Sequence, residues 1–243
     1  MRFDVLTLFP DMFLSVLGDS IIGRGIKAGL IDLNLVQIRD FANNKHNCVD
    51  DYPYGGGEGM LMMPGPIYDA YKSATNGLSY KPHTVYMSPK GSVFNQKKAR
   101  ELLEKEHVVI LCGHYEGVDQ RVLDEIVDEE ISIGDFVLTG GEIPAMAVID
   151  SVSRMVDGVL SSEESYMGES HYNSLLEYPQ YTRPFSFMGK EVPEVLLSGH
   201  HKNIEKWKRE KSLEETYLKR PDLLEKAELT EEDKKFLEKL KDL

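Results

Sequence analysis

Three apolar runs in this chain end in turn-forming residues, a pattern that turns backbone donors and acceptors toward one point. They are Tyr86-Met-Ser-Pro89, then Leu111-Cys-Gly-His-Tyr-Glu-Gly117, then Ser132-Ile-Gly134 with Gly140-Gly141 beyond it. The third run opens into an amphipathic helix. Thr139 stands three residues before Glu142, a capping-box spacing that predicts a helix start near Gly140 or Gly141. Pro144 then falls in the first turn, where its missing N–H is not needed. A strand, a glycine turn and a helix N-terminus gather unpaired N–H groups that can hold a ligand. A Gly-Gly turn taken alone is equally a tight connection with no ligand. Three such ends side by side would instead enclose a crevice, which suits a neutral or zwitterionic nucleoside better than a triphosphate.

Other chemistries lack their residues. No GxxxxGK[ST] phosphate loop occurs. Gly23-Arg-Gly25 and Gly55-Gly-Gly-Glu-Gly59 do not fit a GxGxxG turn after a strand, so a dinucleotide fold and a Rossmann methyltransferase are unsupported. There is no HExxH and no paired Cys/His ligand set, so no metal ligands are assigned. His200 and His201, adjacent on a helix, face different directions and read as a solvated pair.

The elements that must position these ends alternate. Strands are expected over 3–9, 33–39, 83–87, 107–111 and 131–133, with the third broken at 88–91. Helices are expected over 12–17, 18–30, 66–75, 96–106 behind Asn95, 118–127, and onward from the Gly-Gly turn. This order indicates an α/β domain with a largely parallel sheet, whose ligands bind beyond the carboxyl ends of the strands. Residues 40–65 lose periodicity, and a loop that long is usually functional. Domain boundaries are placed at 1–157 for the α/β domain, 158–175 for a Ser/Glu/Gly-rich linker, and 176–243 for a small helical domain. The last includes helices over 192–197, 201–218 and 230–243, with Thr230 and Asp233 in capping positions.

The chain has 243 residues and a net charge of -13. That argues against a protein dedicated to coating nucleic acid, but a local basic patch is compatible with it. Residues 1–175 hold 14 Lys+Arg against 26 Asp+Glu, and residues 176–243 hold 14 against 15. The stretch 200–211 is locally basic. Cys48 and Cys112 make no disulfide framework, which fits a cytoplasmic, reducing compartment. No apolar run is long enough to span a membrane, and the opening ten residues read as a strand rather than a leader.

The strings Pro53-Tyr-Gly-Gly-Gly-Glu-Gly-Met60, Leu111-Cys-Gly-His-Tyr-Glu-Gly-Val-Asp-Gln-Arg121, Ser132-Ile-Gly-Asp-Phe-Val-Leu-Thr-Gly-Gly-Glu142, Tyr181-Thr-Arg-Pro184 and Leu196-Leu-Ser-Gly-His-His201 resemble the bacterial tRNA (guanine37-N1)-methyltransferase family of the SPOUT superfamily. The resemblance runs from the first strand to the last helix. It implies a SPOUT-type parallel sheet with a C-terminal trefoil knot, a homodimer, S-adenosylmethionine as cofactor, and tRNA with guanine at position 37 as substrate. The knot follows from the resemblance alone, since threaded chains are nearly absent from folds in general.

Mapped by resemblance, the cofactor is held by Tyr86, Met87, Ser88 and Pro89, by Gly113, Tyr115 and Glu116, and by Ile131, Ser132, Ile133, Gly134, Asp135, Phe136, Val137, Leu138, Gly140 and Gly141, with Pro144 closing the floor. Guanine N1 carries a proton and needs a general base. Negative charge then moves to O6 and wants a cation. The family places its base at Glu169, where its usual residue is Asp, and its stabilising cation at Arg154, with Mg²⁺ admitted beside it. Glu116 is a further acid at the site. Substrate RNA is assigned to Tyr54, Gly55, Gly56 and Gly57, to Arg183, and to His200, His201, Lys202, Lys206, Lys208 and Arg209. Read by residue type alone, Arg154 is a surface ion-pair partner of Asp150 and Glu169 is one more linker acid. A SPOUT enzyme for ribosomal RNA and a non-catalytic RNA-binding or cofactor-sensing protein are the alternatives. The helical C-terminal domain and the Gly55-Gly-Gly57 loop speak against the first. Methyl transfer to unmodified tRNA separates the second.

Overall fold

The computed structural model describes all residues except 163–165, 167, 242 and 243. The strands are β1 (Arg2–Thr7), β2 (Asp32–Gln37), β3 (Asp50–Asp51), β4 (Leu61–Met62), β5 (His83–Val93), β6 (His107–Cys112), β7 (Glu129–Ser132), β8 (Ser186–Phe187) and β9 (Lys190–Glu191). The helices are α1 (Pro10–Leu17), α2 (Ser20–Lys27), α3 (Pro64–Thr75), α4 (Gln96–Leu103), α5 (Gln120–Ile126), α6 (Glu142–Ser153), α7 (Glu194–Leu197), α8 (His201–Lys219) and α9 (Glu231–Lys241). The contacts divide the chain into two units, Met1–Ser161 and Ser162–Leu243. Part of the linker expected over 158–175, and the last two residues of the helix expected over 230–243, lie outside the described residues.

In the first unit β2-β1-β6-β5-β7 form one sheet in that order, every pair parallel. Every residue of β6 is buried. Its Val-Val-Ile-Leu run is apolar throughout because helices cover both faces. On one face, Leu6, Val109 and Leu111 pack with Ile67, Ala70 and Tyr71 of α3 and Val122, Leu123 and Ile126 of α5. Helices α1, α2, α4 and α6 contact one another in a separate layer. The three strand ends with turn chemistry belong to β6, β5 and β7, which are consecutive neighbours.

One expectation fails here. The third strand was to end at 88–91, yet β5 continues to Val93. Met87 and Ser92 both pair with Ile131, so the residues between them form a bulge. Pro89 has no N–H for the ladder and is at home in a bulge. Gly91 lies against the Glu130 and Ile131 backbone, where a Cβ would collide with main-chain atoms. The apparent breaker therefore re-aims the strand instead of ending it.

The second unit has a small core of Leu175, Leu213 and Leu237, with Tyr217, Leu224 and Phe236 packed around it. Helix α9 starts with a reciprocal cap. Thr230 N donates to Asp233 Oδ2 (2.9 Å), and Asp233 N donates to Thr230 Oγ1 (3.2 Å). Arg209 of α8 pairs with the same carboxylate at 2.8 Å and donates to the Glu228 carbonyl. A hairpin not expected from the sequence joins β8 to β9. Its two turn residues, Met188 and Gly189, both have positive φ (53° and 77°), the geometry of a two-residue hairpin turn.

Candidate active site

The bulge of β5 and the loops beyond β6 and β7 enclose a cavity of about 360 Å³. Of the residues assigned to the cofactor, Tyr86, Met87, Ser88 and Pro89 line it from β5. Gly113, Tyr115 and Glu116 line it from the loop after β6. Ile131, Ser132, Ile133, Gly134, Phe136, Val137, Leu138, Gly140, Gly141 and Pro144 complete it. Asp135 does not line it. The size suits a small-molecule ligand.

Backbone geometry shapes the wall. Gly134 has φ of 146°, which a side chain would resist. Ser132 Oγ donates to the Gly134 carbonyl (3.0 Å) and accepts from Gly134 N (3.2 Å), which closes the turn after β7. Gly141 N donates to the Gly113 carbonyl at 2.9 Å and ties two of the three loops together. A Cβ on Gly113 would lie 2.7 Å from the Tyr86 hydroxyl oxygen. Burial, then the nearby Glu130 and Cys112, push the Tyr86 phenol up to about 12. It is therefore a neutral hydroxyl at physiological pH and can donate to a ligand.

Glu142 overturns the capping box expected at the start of α6. The helix is capped by Gly141 without a side-chain bond, and Thr139 is exposed. Glu142 is instead drawn inward, 2% exposed. Its Oε1 accepts from Thr7 Oγ1 at 2.8 Å, and its Oε2 lies 3.3 Å from His114 Nε2. Thr7 ends β1, far from Glu142 in sequence. A buried carboxylate must find partners, and these two outcompete an exposed cap. Pro144 does sit in the first turn of α6, as its chemistry requires.

Several cavity residues escaped the sequence reading, among them Lys90, Gln120 and Glu130. Glu130 pairs in register with Tyr86, and its Oε2 is buried without a hydrogen-bond partner among the described residues. Only strand register reveals this, and register is not written in a single strand. His114 lies inside a string already singled out, but nothing there points to Glu142.

The glycine-rich loop is fastened to the cavity. Glu116 N donates to the Met60 carbonyl (3.0 Å), Met62 N to the Gly117 carbonyl (2.9 Å), and Asp119 N to the Met62 carbonyl (3.1 Å). Glu116 packs so closely on Gly59 that a Cβ there would collide with it. Tyr54 is 99% exposed, and Gly55, Gly56 and Gly57 beside it are open to solvent.

Arg154 follows directly on α6 in the first unit. Glu169 lies in the second, in a turn where its N–H donates to the Tyr166 carbonyl at 3.2 Å. Arg183, His200, His201 and Lys202 are exposed. Lys206 and Lys208 pair with Glu210 and Glu205 on their own helix. The guanidinium of Arg209 pairs with Asp233. Trp207 stands 6.3 Å from both Tyr178 and Tyr181, and Lys208 lies over the Tyr178 ring. Among the described residues no group of three or more His, Cys, Asp or Glu could hold a metal, and no helix is long and apolar enough to cross a membrane.

Fold and cavity define an α/β protein that takes a small ligand beyond the carboxyl ends of a parallel sheet. The family profile described as tRNA (Guanine-1)-methyltransferase TrmD matches residues 1–226. The tRNA (guanine-N(1)-)-methyltransferase of Ruminiclostridium cellulolyticum is 60% identical over 226 residues, covering 93% of this chain and 97% of that protein. The proteins of that name from Caldanaerobacter subterraneus subsp. tengcongensis and Bacillus cereus are 59% and 51% identical over 240 and 242 residues, 98% and 100% of this chain and 97% and 99% of theirs. The chain belongs to the tRNA (guanine-1)-methyltransferase TrmD family, and it is a methyltransferase.

Proposed function

We propose that this protein transfers a methyl group from S-adenosylmethionine to N1 of guanine 37 in tRNA. The observation that carries the reading is the cavity across three adjacent strand ends in a chain of this family. The residues present fit the cofactor. Glycines at 113, 134, 140 and 141 leave backbone groups free to approach a nucleoside. The Tyr86 hydroxyl and the unpartnered Glu130 oxygen offer a donor and an acceptor. When bound, the cofactor supplies an electrophilic methyl on a sulfonium.

The chain's own groups then handle a proton and a charge. Glu169 takes the N1 proton, and the electron pair left on N1 would form the new bond to the methyl carbon as its bond to sulfur breaks, the sulfur leaving as the neutral thioether of S-adenosylhomocysteine. Arg154 stabilises the charge that develops on O6. Glu116, at the cavity wall, is the alternative base. Mg²⁺ can assist at O6, but no described cluster is built to hold it, so no step is drawn through it. The remaining elements of the reading are a trefoil knot around the cavity loops, a homodimer that shares its active site, and a cytoplasmic setting. The second unit contacts tRNA through His200, His201, Lys202, Lys206, Lys208, Arg209 and Arg183, with the Tyr178–Trp207–Tyr181 cluster supplying ring faces for bases. Tyr54 and the glycines beside it meet the RNA from the first unit.

Tritium transfer from labelled S-adenosylmethionine to unmodified tRNA carrying guanines at positions 36 and 37 tests the reading. Label should enter that tRNA and not one with adenine at position 37. Transfer to ribosomal RNA instead, or none at all, would refute it.

A further inference from the structure

The charge buried behind the cavity wall has no part in the reaction above. Glu142 joins three segments distant in sequence. Thr7 Oγ1, at the end of β1, donates to one of its oxygens and itself accepts from Phe9 N at 2.9 Å. His114, from the loop after β6, meets the other oxygen at 3.3 Å. Glu142 itself is the first residue of α6, directly after the Gly140-Gly141 turn. His114 also lines the cavity. A Cβ on Gly140 would strike both the imidazole and the Glu142 carboxylate, so the loop packs directly on this pair. The Phe9 ring stacks at a tilt on the imidazole, 5.0 Å between centroids, and fixes its plane.

We infer that Glu142 is a positioning residue for the cofactor cavity, holding the His114 loop against the Gly140-Gly141 turn through a charge pair that exists only while His114 is an imidazolium. A neutral imidazole can offer its Nε2 as a donor or an acceptor, and as an acceptor it would face a carboxylate oxygen. The charged form donates from both nitrogens and strengthens the contact. The spacing of two cavity loops, and hence affinity for the adenosyl ligand, therefore follows the protonation of His114.

The other groups facing this imidazole do not take over the charge. From α6 there is Glu142; from the end of β1 comes Thr7 and from the turn after it Phe9, neither ionisable; from β4 comes the Met62 sulfur, 3.2 Å from His114 N. Beside it along the chain lie Cys112, the last residue of β6, and Tyr115 and Glu116 of its own loop. Burial, and then Glu142, push the Cys112 thiol far up, so it stays neutral. The Tyr115 hydroxyl accepts from Arg39 Nη2 at 3.4 Å. Glu116 packs on Gly59.

This inference rests on the cavity being the cofactor site, and the experiment separates the two. The full-length protein is titrated with S-adenosylhomocysteine by calorimetry between about pH 5 and pH 8, the span in which imidazoles in general lose their charge. That ligand carries no sulfonium charge, so the readout is loop geometry rather than attraction of a cation. In the wild type, Kd should rise with pH by roughly 10-fold, the scale of one charge-assisted contact. His114→Arg should bind like the wild type at low pH and lose the pH dependence. His114→Phe should bind roughly 10-fold more weakly at low pH, with a flat profile. Glu142→Gln should do the same, and His114→Phe alone carries the test if Gln at this buried site prevents folding. A folded His114→Phe variant with the affinity and pH profile of the wild type overturns the inference. A wild type that binds no S-adenosylhomocysteine overturns the cavity reading, and the inference with it.

Discussion

At the scale of single residues, two identical spacings have opposite outcomes. Thr230 and Asp233 form the reciprocal cap their spacing predicts. Thr139 and Glu142 do not, because Thr7 and His114 offer Glu142 a buried alternative. Local spacing shows that a cap is available. Whether it is used depends on a strand end more than a hundred residues away, which no local pattern encodes. The glycine-bearing strand ends, by contrast, were legible, since their turn chemistry is local. Glu169 is the residue whose role rests most on family likeness. If it removes the N1 proton, Glu169→Gln should leave cofactor affinity nearly unchanged and lower the single-turnover rate by roughly 10²–10⁴, the usual effect of losing a general base. Glu169→Asp should cost less. A Gln variant with near-wild-type rates across the pH range would move the role to water or to another acid, such as Glu116 or Glu177.

At the scale of elements, the strand order could be checked but not foreseen. Alternating apolar runs announced a parallel α/β sheet, yet only pairing shows that β6, β5 and β7 are neighbours. Ser88-Pro-Lys-Gly91 reads as a breaker because Pro and Gly usually are. Here the flat approach of Gly91 to β7 lets the strand resume. Gly91→Ala should therefore be strongly destabilising, visible as a lowered Tm, whereas Ala at the open, exposed Gly65 should be tolerated. In the second unit, burial alone would raise the Asp233 carboxyl, but Arg209 and Thr230 more than offset it and hold it below the usual carboxylate range. A depressed carboxylate contributes stability above its unfolded pKa and loses it as pH falls through the folded value. Denaturant titrations of the wild type should show that loss below about pH 4. Arg209→Ala should cost about 2 kcal/mol near neutral pH, the scale of a hydrogen bond to a charged group. Because Asp233 then loses its cation, the deficit should shrink in acid. A pH-independent deficit would show that the pair contributes through packing alone.

At the scale of the whole molecule, nothing in hydrophobic periodicity announces threading or assembly, which is why a knot and a dimer are proposed from family likeness alone. The assignment of Arg154 and Glu169 to separate units makes a shared active site testable. Mixing an Arg154→Ala chain with a Glu169→Ala chain should restore activity in confirmed heterodimers if each site draws on both subunits. No recovery would place both residues in one chain's site. The backbone bonds that fasten Met60 and Met62 to Glu116 and Gly117 carry a separate consequence. They make the exposed Tyr54 loop and the cavity wall one mechanical piece, so whichever ligand arrives first has already removed freedom that the second would otherwise have to remove. Such coupling is reciprocal by thermodynamic necessity. Saturating S-adenosylhomocysteine should tighten tRNA binding by the same factor by which tRNA tightens S-adenosylhomocysteine binding. It should also slow amide exchange at residues 54–60, which lie outside the cavity.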